Sequence, residues 1–449
     1  MKRPPGKCGI SSKESREPGG EEAVDARTTK LAEAQEAAVI VGVDVAKRAH
    51  WARVIDPRGR ELVKPLRFDN SRVGFLRLEQ VLAEALGGVG LERVIVGLEP
   101  SGHYWKPLAW HLYSRGIRVV LVNPYHVKCS KELDDNSQLK SDRKDALLVA
   151  SLVQQGRFLG AYFPEGAYAD LRVLVTERFH LKRRLNSAIN RLRGMLDEYF
   201  PEYEGVFRDL LGKASWWVLR HCPFPQDVLE YDPEGLATSL KLATRGRVGM
   251  KRARVLMRAA SESVGVKAGI EGARQKLYCL LDEIEFYRRQ LEVVEARMRE
   301  LLERLPEARL LMSIPGVGPL VAATVLGEVG DFRRFRHWKQ LRKLAGYNLV
   351  AQSSGQKEGR SVISKRGRPV LRHILYLAAL ATVTRSGEFR ALYESLRMRQ
   401  RNPLKGKQAL VAVATKILRI MFALVKSGQE YCPGKLLGRC QQQLAETAA

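Results

Sequence analysis

The sequence predicts an α/β plus all-α chain: a mixed sheet covered by helices, then a long helical coiled-coil region and a mainly helical C-terminal part. Three observations carry this prediction. Short apolar, β-branched runs alternate with helical patterns over the first 165 residues. Two long charged segments with heptad-like spacing follow. The last third of the chain contains apolar helical patterns punctuated by glycines and prolines.

Each element of the first part has its own signal. The apolar runs AAVIVGVDVAKRAH, RVIVGLEP and IRVVLVNP predict buried strands, the first ending at Asp44 and the second at Glu99. HWARVIDPRGRELVKPLRF predicts two strands around the turn Pro57-Arg58-Gly59. SRVGFLRLEQVLAEALGG and YWKPLAWHLYSRG predict helices, and LKSDRKDALLVA opens another. Strand, hairpin, helix, strand, helix, strand and helix is the element order of the ribonuclease-H-like fold.

The remaining segments follow from composition and periodicity. LRVLVTERFHLKRRLNSAINRLRGMLDEYF and LYCLLDEIEFYRRQLEVVEARMRELLERL predict long helices paired as a coiled coil, with irregular helices between them. We expect five segments: a disordered polar lead (1–36), a catalytic α/β domain (37–165), a helical coiled-coil region (166–306), a C-terminal helical domain (307–428) and a loose tail (429–449).

The charge of the chain indicates its partner. Lys plus Arg number 76 against 49 Asp plus Glu, a formal net charge of +27, and such a field attracts nucleic acid. No uninterrupted apolar run of about 18 residues is present, which argues against a membrane-bound protein. The six cysteines form no CxxC pair, so zinc and disulfide frameworks are disfavoured and a cytoplasmic location is expected.

Four carboxylates form the predicted active site. Asp142 and Asp145 share one face of a helix, while Asp44 and Glu99 end two strands, where ligands bind in open α/β sheets. Converging carboxylates repel one another unless divalent cations neutralise them, and oxygen ligands suit Mg²⁺ or Mn²⁺. Two such ions would clamp the attacking and leaving oxygens of a phosphodiester.

Each acid also has a purely structural interpretation. Asp44 alone suits a turn, Glu99 alone suits a strand-end charge, and Asp142 and Asp145 suit the positive end of a helix dipole. The conjunction of all four acids in this element order favours the metal site.

A second candidate site lies in the C-terminal part. In AQSSGQKEGRSVISKRGRPVLRH, Ser353 and Ser354 precede a glycine, and the cations Lys365, Arg366 and Arg368 follow. Serine attacks phosphorus only when it is activated and the phosphate is held by cations. The three cations are therefore candidate nucleic-acid ligands. A solvent loop that contacts phosphate is the alternative. IPGVGP resembles the turn of helix-hairpin-helix modules, or is a plain connection between helices.

These motifs together resemble the insertion-sequence 110 family of transposases, whose N-terminal domain is a RuvC-like DEDD nuclease domain. The resemblance covers about residues 38–425. It is carried by VGVDVAK, LEPSGHYWKPLAWHL, VNPYHVK, LKSDRKDALLVA, SIPGVGPLVAATVLGEVGD and LAGYNLVAQSSGQKEGRSVISKRGRPVLR.

The resemblance implies a DNA recombinase. Asp44, Glu99, Asp142 and Asp145 would hold Mg²⁺. Ser354, favoured over Ser353 because the family nucleophile precedes the first glycine, would form a transient phosphoserine link to DNA. The family works as a dimer or tetramer guided by a noncoding bridge RNA. The alternatives are a RuvC-like junction resolvase, which would not need the serine, and a non-catalytic nucleic-acid-binding protein derived from a transposase.

Overall fold

The computed structural model describes residues 19–134, 142–351, 361–400 and 402–433, with side chains from 27–131, 143–350, 362–400 and 402–433. The chain divides into two compact units, Met1–Phe163 and Pro164–Ala449. The domain boundary predicted at 165/166 lies two residues beyond this division.

Within the described residues, the first unit contains one six-stranded mixed sheet. The strands are β1 Val39–Asp44, β2 Ala49–Ile55, β3 Leu66–Asp69, β4 Val94–Leu98, β5 Arg118–Leu121 and β6 Leu159–Gly160. Their order is β3-β2-β1-β4-β5-β6. The pairs β1–β4 and β4–β5 are parallel, and the remaining pairs are antiparallel. The predicted mixed α/β sheet is therefore confirmed.

Helices cover both faces of this sheet. They are α1 Gly19–Glu36, α2 Arg72–Leu86, α3 Trp105–Ser114, α4 Pro124–Asp134 and α5 Asp142–Gln154. Because side chains alternate along β1, Val41 packs with α2 and α3 on one face, whereas Ile40 packs with α1 and α5 on the other. The predicted helix before the double glycine is α2, which begins after the cap Ser71 and ends at left-handed Gly87.

Two helices of the first unit differ from the sequence prediction. The lead over 1–36 is not disordered throughout, because Gly19–Glu36 forms α1. This helix is held by tertiary contacts: Ala34 is buried, Lys30 Nζ donates to the Phe158 carbonyl at 2.7 Å, and Glu33 pairs with Arg118 at 2.7 Å. The helix α4 was absent from the predicted order, since its polar sequence buries little beyond Val127.

The second unit begins with a long helix pair, α6 Gly166–Tyr199 and α12 Ile270–Leu302. Buried side chains recur at alternating spacings of four and three along α6, at Leu181, Leu185, Ala188, Leu192 and Met195. Ion pairs Arg178–Glu295 and Arg191–Glu283 join the two helices, and their numbering shows that the pair is antiparallel. The two predicted heptad-like segments therefore pack against each other within one chain.

Short helices between these two form a separate core. They are α7 Tyr203–Val206, α8 Lys213–His221, α9 Pro225–Leu229, α10 Pro233–Thr244 and α11 Met250–Ser261. Tyr203 is fully buried at its centre, and its hydroxyl lies 2.9 Å from the Ser215 carbonyl, to which it donates.

The C-terminal part of this unit is mainly helical, as predicted. Its helices are α13 Glu307–Met312, α14 Pro319–Val329, α15 Trp338–Ala345, α16 Pro369–Arg385, α17 Gly387–Met398 and α18 Gly406–Ser427. The antiparallel strands β7 Leu349–Ala351 and β8 Ser361–Ile363 form a two-stranded sheet that was not predicted. In the predicted loose tail, the Tyr431 hydroxyl donates to Glu388 at 2.7 Å, and residues from 434 onward lie outside the described part.

The helix α18 is long and apolar enough to cross a membrane by length and composition. Its sequence is not an uninterrupted apolar run, because Lys416 and Arg419 lie within it. Val413, Ile417 and Met421 are fully buried in the core of the second unit, which accounts for its apolar composition.

Candidate active site at the carboxyl ends of two parallel strands

Two of the four predicted acids lie at neighbouring strand ends. Asp44 is the last residue of β1, and Glu99 directly follows β4. Val43 is the register partner of Leu98, so the next residues on these parallel strands are the two acids themselves. Both are half-buried, and the Ser101 hydroxyl donates to Glu99 Oε1 at 3.0 Å. The parallel pairing thus delivers two carboxylates to one edge of the sheet.

A pair of glycines seats α5 on the sheet. Gly42 and Gly97 are register partners on β1 and β4. A Cβ on Gly42 would lie 2.1 Å from the Ala146 carbonyl oxygen and 2.3 Å from the Ala150 nitrogen. A Cβ on Gly97 would lie 2.4 Å from Val153 Cγ2. The backbone of α5 therefore approaches the two strands that carry Asp44 and Glu99 more closely than any side chain at Gly42 would allow.

Contacts at its two ends fix the direction of α5. At its start, the Arg143 guanidinium lies 4.6 Å from the ring centre of Trp51, the β2 residue paired with Asp44. At its end, Gln154 Nε2 donates to the Pro57 carbonyl at 2.9 Å, beyond the opposite end of β2. The first turn of α5 therefore lies at the Asp44 end of the sheet. Asp142 opens this turn, but its side chain lies outside the described residues.

Asp145, the remaining acid, is buried and paired with a lysine. It is 7% exposed, and Lys131 Nζ on α4 lies 2.5 Å from its Oδ2 atom. Among the described side chains, no group of three or more His, Cys, Asp or Glu residues could hold a metal ion. The predicted convergence of four carboxylates stays a prediction, since one of the four side chains is not described. Sequence reasoning missed Lys131, which carries no local signal.

A buried histidine supports the loop after Asp44. His50 is fully buried on β2, and its Nδ1 atom accepts a hydrogen bond from the Ala46 amide at 3.2 Å. Burial lowers the pKa of His50 because the charged imidazolium is poorly solvated there. The neutral ring thus packs beside Phe68 and Phe75 and anchors the turn from β1 into β2. Sequence reasoning did not single out this residue.

The structure describes only the residues that flank the predicted serine site. Ser353 and Ser354 fall in 352–360, between β7 and β8, and lie outside the described residues. Lys365 and Arg366 are exposed, and Lys365 adopts a left-handed φ of 53°. The Arg368 side chain instead turns to Glu328, bonding its carbonyl and lying 3.9 Å from its carboxylate.

Glu328 is a buried acid with a structural role. Burial raises its pKa, and the nearby Arg172 partly opposes this shift. Since Arg172 and Arg368 both donate to the Glu328 carbonyl, Arg368 joins α14 to the start of α16. Of the three predicted nucleic-acid ligands, Lys365 and Arg366 present their charges to solvent, whereas Arg368 is largely engaged within the fold.

The glycine turn between α13 and α14 packs against another helix of the same fold. Gly316 has a φ of 88°, and a Cβ on it would lie 2.7 Å from the Thr382 amide of α16. The turn does connect two helices, as predicted, but Gly316 makes its close backbone approach to α16.

Comparison with known proteins identifies the family. A DEDD transposase model of the IS110 type matches residues 41–201, and a model of the IS116/IS110/IS902 transposase family matches 308–394. The first range contains all four predicted acids and the second contains Ser354 and the three predicted cations.

Full-length relatives agree with these matches. A probable family 20 transposase of Pseudomonas aeruginosa is 31% identical over 76% of this chain and 86% of its own length. The transposase for insertion sequence element IS1111A of Coxiella burnetii is 25% identical over 87% of this chain and 91% of its own. An IS110 protein of Streptomyces coelicolor is 25% identical over 88% and 96%. The chain belongs to the IS110 family of insertion-sequence transposases.

Proposed function

We propose that this transposase cleaves and exchanges DNA strands by a metal-dependent reaction in which Ser354 is the nucleophile. The observation that carries the proposal is the placement of Asp44, Glu99 and the first turn of α5 at one edge of the sheet. A ribonuclease-H-like fold for the first unit is part of this proposal and is supported by its strand order.

The donor set suits a hard divalent cation. Asp44, Glu99, Asp142 and Asp145 would offer only carboxylate oxygens, the ligands that Mg²⁺ and Mn²⁺ prefer. A bound ion of this kind stabilises negative charge on the phosphoryl, attacking and leaving oxygens. Asp145 lies in the first turns of α5, whose start is at the Asp44 end of the sheet, and its carboxylate pairs with Lys131. The residues present therefore fit the metal that the family resemblance implies.

The serine step requires a held phosphate. Ser354 Oγ would bond to phosphorus as the bond from phosphorus to the departing DNA oxygen breaks; the serine loses a proton and the departing oxygen gains one. Attack by a DNA hydroxyl on the phosphoserine would reverse the step and rejoin a strand. Lys365 and Arg366, exposed just after β8, are the cations available to bind the phosphate.

Guidance and assembly complete the proposal. By family resemblance, a noncoding bridge RNA pairs with target and donor DNA. In a dimer or tetramer, the acids of one subunit would meet the serine of another subunit. The net charge of +27 supports binding of both polyanions. A RuvC-like junction resolvase is the second candidate, since the acids alone would serve it.

One assay separates these functions. The full chain, Mg²⁺, element DNA and the neighbouring noncoding RNA would be incubated, and a covalent protein–DNA adduct sought on denaturing gels. Ser354→Ala should abolish the adduct, whereas the adjacent Ser353→Ala is the matched control and should retain it. Asp44→Asn should abolish both cleavage and adduct. Cleavage without an adduct that depends on Asp44 but tolerates both serine substitutions would transfer the protein to the resolvase class.

A further inference from the structure

The small helical core between α6 and α12 carries a basic cleft that the proposed reaction does not use. The cleft lies between the start of α8 and the loop joining α10 to α11, with a volume of about 860 Å³. Five cations line it against a single carboxylate, Asp209, a local excess of four positive charges. The five are Arg208, Lys213, Arg245, Arg247 and Arg252.

Most of these cations are exposed and not engaged with acids. Within the described part of the chain, no ion pair involves Arg208, Lys213, Arg245 or Arg247, although many neighbouring arginines of this unit are paired. Asp209 accepts from the Leu211 amide at 3.1 Å within its own turn. Clustering like charges without counterions is unfavourable, so this arrangement suits an anionic ligand.

Hydrogen bonds within the fold hold the walls of the cleft in place. The Thr244 hydroxyl donates to the Leu240 carbonyl at 2.6 Å and accepts from the Val248 amide at 3.0 Å, which closes the loop that carries Arg245 and Arg247. Arg252 Nη1 donates to the Val206 carbonyl at 2.5 Å and thereby joins the two sides. Arg245 adopts a left-handed φ of 54°, which a non-glycine residue adopts only at some cost in free energy.

The opposite wall adds backbone donors. The helix α8 starts at Lys213 after Gly212, and no side chain caps its first turn. The first residues of α8 line the same cleft as the arginines, and the start of a helix carries a partial positive charge. Arginine forks and uncapped helix amides are together the groups that bind phosphate oxygens.

We propose that this cleft, which is lined by none of the predicted acids or serines, binds the phosphodiester backbone of a nucleic acid. Its size and its four-charge excess match a run of several phosphates better than one small anion. The cleft adds a binding surface to the proposed transposase and depends neither on the nucleophile nor on a metal. DNA and RNA share this backbone, and the test distinguishes them.

The experiment measures the salt dependence of binding by the full chain in EDTA, where no cleavage occurs. The cleft variant carries Arg208→Gln, Arg245→Gly and Arg247→Gln. Glycine adopts the left-handed backbone conformation of position 245 without strain, so this variant should be as stable as the wild type. The control carries Lys267→Gln, Arg288→Gln and Arg289→Gln, which removes the same charge from exposed positions of this unit that do not line the cleft.

For duplex DNA, the slope of log K against log salt should fall by up to about 2.7 in the cleft variant, because each lost phosphate contact removes roughly 0.9. The control should keep its slope. A matched RNA hairpin is titrated in parallel, and the probe that loses slope identifies the ligand. Equal losses in both variants, or no loss with either probe, would overturn the proposal whether or not the chain cleaves DNA.

Discussion

Replacing Gly42 by alanine tests the seat that brings α5 to the strand ends. The new methyl group would lie 2.1 Å from the Ala146 oxygen and 2.3 Å from the Ala150 nitrogen, whereas real Cβ contacts essentially never fall below 3.0 Å. Both obstacles are backbone atoms, so no rotamer change can relieve the clash. The helix α5 would have to withdraw by about 1 Å along its first two turns.

The size of the effect follows from this geometry. Overpacking a core costs about 1–3 kcal/mol, and an obstacle made of backbone belongs at the upper end. For a unit the size of Met1–Phe163, about 3 kcal/mol corresponds to a fall in Tm of roughly 10 °C. The same withdrawal would carry Asp145 away from β1, so DNA cleavage should fall even where the protein remains folded.

Calorimetry of the full chain, with hydrogen exchange of the α5 peptide, would measure this effect. Gly97→Ala meets the movable Val153 side chain at 2.4 Å and should cost only about 1 kcal/mol. Gly160→Ala is the matched control, because its nearest neighbour is the Arg118 guanidinium at an ordinary 3.5 Å. A Gly42→Ala protein with the Tm and α5 protection of the Gly160→Ala control would refute the proposed seat.

Three other predictions concern buried or paired titratable side chains. Lys131→Met should raise Mn²⁺ affinity, measured by electron paramagnetic resonance, by about fivefold because the ion no longer displaces an ammonium; unchanged affinity would place Asp145 outside the metal site. Because the pKa of His50 is lowered below 6.5 in the folded protein, the unfolded chain binds more protons at this residue than the folded one. The free energy of unfolding should therefore decrease as the pH falls below 6.5. His50→Gln should flatten that part of the Tm–pH curve relative to wild type. The Arg274 guanidinium of α12 donates two hydrogen bonds, of 2.9 and 2.7 Å, to the buried Asp227 carboxylate of α9. Arg274→Ala would remove both bonds and should cost about 3 kcal/mol in urea unfolding. Adding Asp227→Asn should recover part of that loss.

The elements that could be predicted are those with a local signature. The strands β1 and β4 are continuous apolar runs buried on both faces, and α2 has an apolar stripe with a capping serine and a terminal glycine. The helices α1 and α4 lack such a stripe and are held by residues outside their own segments, such as Phe158 for Lys30 and Asp145 for Lys131. Local periodicity does not report those contacts.

The candidate site divides along the same line. Asp44 and Glu99 could be predicted at one ligand-binding edge because each lies at the carboxyl end of a buried apolar strand. The seat of α5 was not predictable, since it depends on the register that sets Gly42 beside Gly97. Arg368 belonged by sequence to a run of basic residues, but only the fold reveals that Glu328 engages it.

The pairing of Lys131 with Asp145 is hard to explain as a stabilising device alone. Asp145 lies among apolar residues on the buried side of α5, where a hydrophobic pair of similar volume would commonly be as stable or more so, because burying charge requires desolvation. Lys131 remains substantially exposed and so gives up less solvation than its partner. A carboxylate near the end of the sheet, paired with a partly exposed lysine, is better suited to receive a second cation than to support a core. The glycine seat has the same character, since Gly42 and Gly97 contribute no side chain to the core yet bring α5 against the strands that end in Asp44 and Glu99. The buried ion pair and the two glycines both lower the stability of the fold. Such losses are expected where the residues serve a reaction site, as proposed for this edge of the sheet.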